Sequence, residues 1–297
     1  MRARPLARDA AGPVRSGDVF IHGVLPRAGT NYLSRVLRCH RDLAASPREL
    51  WEFPHLRKSD PLLSYASSMA RSANLPRLEG DDLLRLIGDA WLTYASEGLP
   101  EGCRLVVKEP SVKNLERFFL FFPLSRLLVL MRDGRDIACS SLRTAFASPR
   151  GLDWRHPRSY SRVLQNPLAE MARRWSEASR TVRAFLEEHD EGGRVRVVRY
   201  EDLVRDPEAE TRGILGFLEL SPDRFAWDSF AALDVRGSSF VGNRSGKLDW
   251  NGAGSMPETF EPIGRWRSWG EREIRRFHSV AAAELDHWGY SDRRDPR

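Results

Sequence analysis

Short apolar runs alternate with longer segments of helical periodicity along most of the chain. Four runs rich in aliphatic and β-branched residues predict buried strands over Val19–Leu25, Arg104–Lys108, Leu127–Met131 and Val195–Tyr200. Strands that alternate with helices in this way favour an α/β fold, a parallel sheet flanked by helices on both faces. Ligands of such sheets bind beyond the carboxyl ends of the strands, so candidate chemistry is expected at that edge.

Between the strands, apolar residues recur at the spacing of one helix face. The four periodic sets are Leu83, Ile87, Trp91, Tyr94; Leu115, Phe118, Phe119, Phe122; Leu168, Met171, Trp175, Val182, Phe185; and Ile274, Phe277, Ala281, Leu285, Trp288. Two segments have no period, the Arg-rich residues 1–17 and the stretch Gly237–Gly264. We predict that residues 1–17 form a disordered tail, that 18–297 form a single domain, and that Gly237–Gly264 is a lid.

Composition and charge narrow the class of protein. None of the apolar runs approaches the ~20 residues that a membrane span needs, so no membrane span is expected. The formal net charge is +6, and the first fifteen residues carry four Arg against one Asp. The rest of the chain is therefore only mildly basic, and without a nucleic-acid-binding motif no nucleic-acid partner is expected. Three isolated cysteines favour neither disulfides nor zinc, which fits a reducing cytoplasm and no metal.

A glycine-bearing turn, Pro26–Leu33, follows the first predicted strand. Gly29 allows the backbone to approach a ligand, and Thr30 can cap the helix that follows. The free amides of the first helical turn form an anion site, which Arg27 supplements. A nucleoside-triphosphatase loop has a lysine after its second glycine, whereas Thr30 follows Gly29 directly. ATP hydrolysis is therefore disfavoured, while an anion site is retained.

A second candidate anion site follows the strand Leu127–Met131. Arg132 offers a planar guanidinium, and Ser140 adds a hydroxyl about two helical turns later. The neighbouring Asp133 and Asp136 are expected to cap the helix and to form surface ion pairs. In a third segment, a strand ends at Tyr200, which can stack on a base, and an acidic turn leads into a helix that starts at a proline.

Together these segments resemble the superfamily of sulfotransferases that depend on 3′-phosphoadenosine 5′-phosphosulfate (PAPS). Pro26–Leu33 is similar to the family's 5′-phosphosulfate loop, Arg132–Ser140 to its 3′-phosphate motif, and Arg199–Pro207 to the strand that meets the adenine. The resemblance is to bacterial members, with some similarity to the tyrosylprotein sulfotransferase branch, and it spans Asp18 to Tyr290. It implies a P-loop nucleotide-kinase-like sulfotransferase fold, PAPS as donor, 3′-phosphoadenosine 5′-phosphate (PAP) as product, and no metal requirement.

The resemblance also implies a set of cofactor-binding residues by matched position. They are Arg27, Ala28, Gly29, Thr30, Asn31 and Tyr32 at the 5′ end, Arg132 and Ser140 at the 3′-phosphate, Tyr200 at the base, and Arg265 and Arg267 before the last helix. Ala28 and Asn31 stand where the family has Ser and a second Thr, which predicts weaker donor binding. The cation that closes over the nucleotide remains open among Arg244, Lys247, Arg265 and Arg267.

Sulfuryl transfer needs charge stabilisation on the departing phosphate and removal of a proton from the acceptor. We expect Arg27 to stabilise the leaving phosphate and Lys108 to donate to the leaving group or the sulfonate. Glu49 falls near the glutamate base of the tyrosylprotein branch and is the predicted base. Glu52, Glu109 and Lys108 remain alternatives for that role.

The acceptor pocket is expected in three variable segments, Trp51–Ala73, Ala147–Asn166 and Gly237–Gly264. Their aromatic side chains suit sugar faces or flat apolar groups; they are Trp51, Tyr65, Trp154, Tyr160 and Trp250. The sequence thus favours a small-molecule, glycan or natural-product acceptor, and it defines neither the acceptor nor the oligomeric state. Two alternatives are a P-loop-related small-molecule kinase and a basic binding protein without enzyme activity.

Overall fold

The computed structural model describes residues 17–50, 52–72, 74, 79–147, 165–189, 193–233 and 261–291. Within these ranges the strands are β1 (Val19–Gly23), β2 (Leu43–Ala44), β3 (Arg104–Glu109), β4 (Arg126–Met131) and β5 (Val195–Arg199). The α-helices are α1 (Thr30–Leu37), α2 (Asp60–Ala70), α3 (Gly80–Ser96), α4 (Phe118–Phe121), α5 (Gly134–Ala147), α6 (Pro167–His189), α7 (Tyr200–Arg205), α8 (Pro207–Phe217), α9 (Trp227–Ala231) and α10 (Glu271–His287). Short 3-10 helices cover Leu56–Lys58, Leu115–Arg117, Pro222–Arg224 and Arg265–Ser268.

The five strands form one parallel sheet in the order β2-β3-β1-β4-β5. The central strand β1 is fully buried, and its Ile21 aligns with Lys108 on β3 and Leu128 on β4. After β1 the chain continues to β2 and β3, which lie on one lateral side of β1 in the sheet. After β4 it continues to β5, on the opposite lateral side. A ligand crevice is therefore expected between the carboxyl ends of β1 and β4. The observed architecture confirms the α/β fold with a parallel sheet flanked by helices.

Each predicted strand is present, with ends that differ by one or two residues. The two-residue β2 was not predicted, because so short a strand has no apolar run to identify it. The predicted acidic turn after Tyr200 is wrong, since the residues form helix α7.

The helix predicted from Leu83, Ile87, Trp91 and Tyr94 is α3, but its buried face is rotated from that set. Trp91 and Tyr94 are 41% and 46% exposed, whereas Leu84, Gly88 and Leu92 are buried. A Cβ on Gly88 would stand 2.1 Å from the carbonyl oxygen of Phe121, so this glycine lets α3 pack closely against α4. Because only glycine permits this close approach, the face of α3 that carries Gly88 is the buried face.

Helix α6 supports the carboxyl end of β4. Trp175 is fully buried, and its Nε1 donates a 3.0 Å hydrogen bond to the carbonyl of Arg132. A Cβ on Gly134 would lie 2.4 Å from the Trp175 ring, so the glycine allows the indole to pack directly beneath the turn after β4. The backbone that presents Arg132 is thereby fixed.

Several predicted features lie outside the described residues. These are Trp51, Trp154, Tyr160, Arg244, Lys247 and Trp250, nearly all of the tail at 1–17, and most of Gly237–Gly264. The single domain over 18–297 stays a prediction. Among the described helices, none combines the length and apolarity that a membrane span requires. In the same described ranges, no group of three or more His, Cys, Asp or Glu is arranged to hold a metal ion.

Candidate active site

The loop between β1 and α1 has a strained backbone. Gly29 lies in the left-handed region with a φ of 110°, and Arg27, a non-glycine residue, has a φ of 78°. Strain of this kind persists where the surrounding structure enforces it, often at ligand sites. The predicted capping by Thr30 is wrong, because Gly29 occupies the N-cap and no described side chain caps the helix. The first-turn amides of α1 can therefore receive an anion.

Gly29 lets this loop pack against Tyr200. A Cβ on Gly29 would stand 2.5 Å and 2.6 Å from Cδ2 and Cε2 of Tyr200. Tyr200 is buried at the start of α7, and the guanidinium carbon of Arg132 lies 4.1 Å from the centre of its ring. One aromatic side chain thus contacts the loop after β1 and the arginine after β4. Its contact with a base stays a prediction.

Arg27, Arg132 and Arg265 converge at the carboxyl ends of β1 and β4. Nε of Arg27 donates a 3.0 Å hydrogen bond to Oγ of Ser140 on α5, and Nη1 of Arg132 donates a 2.8 Å hydrogen bond to the carbonyl of Arg27. Burial lowers the pKa of Arg27 to about 10, with further lowering by the positive charges of Arg132 and Arg265. Three guanidinium groups held this close repel one another, and a bound anion would relieve that repulsion.

Arg132 is only 6% exposed and its donors are not all satisfied. Nη2 donates a 2.6 Å hydrogen bond to the carbonyl of Pro262, whereas the buried Nε has no hydrogen-bond partner among the described residues. A buried guanidinium donor without an acceptor is costly, and a phosphate oxygen would satisfy it. Arg132 is also the residue that the family resemblance predicts to bind the 3′-phosphate.

The segment after Arg132 is fixed by buried carboxylates. Asp133 forms an ion pair with the buried Arg135, with Nη2 and Oδ2 2.8 Å apart. Asp136 accepts hydrogen bonds from the amides of Gly264 at 2.7 Å and Trp266 at 3.3 Å, at the start of the 3-10 helix that carries Arg265. The surface position expected for the two aspartates is therefore wrong. Asp136 joins the turn that follows Arg132 to the turn that carries Arg265.

The two C-terminal arginines differ in their surroundings. Arg265 is half-buried, and its pKa is lowered by burial and by the nearby charges of Arg143 and Arg132. Arg267 is exposed, with its guanidinium carbon 5.8 Å from the ring centre of Trp266. The structure thus brings Arg265 into the arginine cluster and leaves Arg267 at the protein surface. The nucleotide-binding roles of both stay predictions.

Lys108 lies next to the loop after β1, and its proposed role in catalysis stays a prediction. Its Nζ donates a hydrogen bond to Oδ1 of Asn31 in the first turn of α1. Burial lowers the pKa of Lys108, Glu52 raises it and Arg38 lowers it. A partly desolvated ammonium group beside a helix N-terminus suits donation to an anionic leaving group.

The candidate carboxylate bases have three different environments. Glu49 is exposed and has a φ of 55°. Glu52 is also exposed, and its charge acts on both Lys108 and Glu109. Glu109 is buried and forms an ion pair with Arg57, a pairing that no local sequence pattern indicates. The choice of Glu49 as base stays a prediction.

Comparisons with known proteins bear on the family and the fold of the chain. The chain matches the sequence profile described as Sulfotransferase family over residues 18–224. A search of curated proteins finds no match. A sulfotransferase from Alicyclobacillus acidocaldarius is a similar solved structure, at 16% identity and a TM-score of 0.55, covering 95% of this chain and 98% of that one. Retinol dehydratase in complex with retinol and PAP has 14% identity and a TM-score of 0.50, covering 96% and 84%. At these identities the likenesses show the fold, which is the one predicted.

Proposed function

The chain belongs to the sulfotransferase family, and from that premise we propose that it moves the sulfuryl group of PAPS to a hydroxyl or amine of a small-molecule, glycan or natural-product acceptor. Family membership makes the protein an enzyme of sulfuryl transfer. The donor, the acceptor class and the residue roles are the content of the proposal. We also propose that it acts in the cytoplasm, which the isolated positions of its three cysteines in the sequence support.

The convergence of Arg27, Arg132 and Arg265 is the observation that carries the proposed donor. PAPS has an anionic group at each end, a 5′-phosphosulfate and a 3′-phosphate, so it requires cationic donors on two sides of one crevice. Arg27 and the first-turn amides of α1 would bind the 5′ end. Arg132, whose buried Nε lacks an acceptor among the described residues, would bind the 3′-phosphate together with Ser140. Retinol dehydratase, which shares the fold, binds PAP and thereby supports this choice.

In this proposal, three side chains assist the chemical step. Bound PAPS supplies the sulfuryl group, so the acceptor atom bonds to sulfur while the sulfur bond to the 5′-phosphate oxygen breaks and its electron pair leaves with PAP. Arg27 stabilises the charge that develops on that phosphate, and Lys108 donates a hydrogen bond to the leaving oxygen or the sulfonate. Glu49 takes the acceptor's proton. Glu52, whose charge raises the pKa of Lys108, is the alternative for this role.

A titration of the full chain with PAP tests the donor. We expect saturable binding, and Arg132→Gln is expected to weaken it by about tenfold or more because a charged hydrogen-bond donor is lost. Arg275→Gln, an exposed ion-pair residue on α10, is the matched control and should bind PAP like the wild type.

Transfer assays with radiolabelled PAPS and radiolabelled ATP, run side by side on phenols, sugars and amines, test the reaction. We expect label from PAPS in at least one acceptor and none from ATP. If PAP does not bind and ATP donates its phosphate, the proposal is wrong and the small-molecule kinase takes its place.

A further inference from the structure

Glu109, the last residue of β3, is a buried acid with an unusual set of contacts. It is only 2% exposed, and neither of its carboxylate oxygens has a hydrogen-bond partner among the described residues. Nε of Arg57 lies 3.2 Å from its Oε1, which makes an ion pair without the alignment of a hydrogen bond. Burying a carboxylate with so little compensation is costly. The presence of an acid at this buried position therefore calls for an explanation beyond packing.

Arg57 belongs to a segment that runs along the end of β3, residues 52–59, here called the 52–59 segment. Its start is attached to the strand, because the amide of Phe53 donates a 3.0 Å hydrogen bond to the carbonyl of Lys108. Farther along, Nδ2 of Asn114 donates a 2.9 Å hydrogen bond to the carbonyl of Leu56. The ion pair between Arg57 and Glu109 is a side-chain attachment of this segment to the strand itself.

The 52–59 segment begins with a residue that influences the candidate chemistry. Glu52 acts through its charge on both Lys108 and Glu109. Successive side chains of a strand point to opposite faces, so Lys108 reaches Asn31 on α1 while Glu109 reaches Arg57 on the other side. The end of β3 thus connects the loop of the anion site to the segment that carries a candidate base.

We propose that Glu109 is a positioning residue for sulfuryl transfer: as a carboxylate it binds Arg57 and so fixes the 52–59 segment, with Glu52, beside Lys108. The inference rests on the proposed function, since it assigns a role in the same reaction. Among the described residues, the ion-pair partner of Glu109 is Arg57, and Glu109 acts through it.

The ionisation of Glu109 adds a pH dependence to this arrangement. Burial raises the pKa of Glu109 to about 7, Arg57 lowers it and Glu52 raises it further. His22, which aligns with Glu109 on β1, and His55, on the 52–59 segment, have pKa values lowered to about 4 by burial and stay neutral near pH 7. As the pH falls through about 7, Glu109 takes up a proton and its ion pair with Arg57 is lost.

Kinetics of Glu109→Gln, Arg57→Gln and the double variant test the role, with radiolabelled PAPS and the acceptor that the wild type turns over fastest. Each single variant is expected to lower kcat at pH 8 by roughly tenfold with an unchanged PAP affinity, because a misplaced group costs rate rather than donor binding. The double variant should be no slower than either single one, since both remove the same contact. The kcat of the wild type is expected to fall as the pH is lowered through about 7, because the ion pair is lost. Both single variants should lack this fall. Glu101→Gln, at an exposed position, is the matched control.

Hydrogen exchange gives a second readout that needs no acceptor. In the wild type, exchange at Phe53 to Ser59, corrected for intrinsic rates, should rise as the pH falls through about 7, and in Arg57→Gln it should stay at the raised, low-pH level of the wild type at every pH. Arg57 is 43% exposed on its side chain, so this variant tests the idea even if Glu109→Gln does not fold. Wild-type kcat and wild-type exchange in Arg57→Gln would overturn the inference. A wild-type protein that binds no PAP and transfers no sulfuryl group would instead overturn the proposed function.

Discussion

Nε of Arg27 lies 3.0 Å from Oγ of Ser140, although 113 positions of the chain separate the two residues. Arg27 follows β1 and Ser140 lies on α5, which follows β4. The two strands are neighbours in the sheet. The chain that leaves β1 continues toward β2 and β3, and the chain that leaves β4 continues toward β5 in the opposite direction. Because Arg132 also donates to the carbonyl of Arg27, the residues predicted for the two anion sites are in direct contact. A single nucleotide with two anionic ends matches that arrangement.

Arg27→Ala is expected to abolish sulfuryl transfer while the protein stays folded. The change removes the cation proposed to stabilise the leaving phosphate, a kind of stabilisation worth roughly 100-fold to 1,000-fold in rate. It also removes a charge that repels Arg132 and Arg265, so the unfolding temperature should not fall sharply. Steady-state kinetics with PAPS and a thermal melt measure the two effects. Wild-type turnover in this variant would show that Arg27 has no catalytic role.

Gly29→Ala is expected to eliminate PAP binding and to destabilise the fold. The new Cβ would stand 2.5 Å from the Tyr200 ring, at a backbone φ of 110° that alanine rarely adopts. Together these effects should reduce the free energy of unfolding by about 1–3 kcal/mol. Gly216→Ala on α8 is the control, because an added Cβ there meets nothing within 4 Å and should stabilise the helix by about 0.5–1 kcal/mol. Urea unfolding and PAP titration of both variants separate conformational strain from a general effect of replacing glycine.

The parts of this site that the sequence predicts are those that depend on strand order and local motif. Predicted strand ends at Leu25 and Met131, each followed within two residues by an arginine, are enough to expect two anion sites at one edge of a parallel sheet. The burial of Asp133 and Asp136 was not predictable in this way, because it depends on contacts with Arg135 and with the turn before α10. No local pattern distinguishes a buried aspartate from a surface one.

Two further features lay beyond sequence reasoning for the same physical reason. The buried face of α3 is selected by the approach of Gly88 to the backbone of Phe121, which a hydrophobicity pattern does not register because glycine has no side chain. The pairing of Arg57 with Glu109 joins residues from different elements, and neither has a sequence neighbour that indicates it. Hydrophobic periodicity predicts which helices and strands form, whereas the packing of these elements determines which charged side chains form ion pairs.

The stability of the fold should decrease as the pH is lowered from about 6.5 to about 4. Burial lowers the pKa of His22 from 6.5 to about 4, so the unfolded chain binds a proton in this range that the folded protein does not. The stabilisation is fully present above pH 6.5 and is lost as the pH falls through about 4, and it amounts to roughly 3 kcal/mol. His22→Asn should show a smaller pH slope in urea unfolding between pH 4.5 and 7. An unchanged slope in that variant would exclude His22 as the source.

Lys108→Ala should abolish turnover while leaving PAP affinity within about threefold of the wild type, because Lys108 is proposed to act on the leaving oxygen. Lys113→Ala, at an exposed position, is the matched control. Asn31 supplies the finer test, since its Oδ1 accepts a hydrogen bond from the Lys108 ammonium group. Asn31→Ala removes an acceptor that favours the charged lysine, so the alkaline limb of kcat/KM should move to lower pH, whereas Asn31→Asp adds a negative charge and should move it higher. A pH-rate series on the two variants measures both shifts, and displacement in the same direction would mean that the limb does not report Lys108.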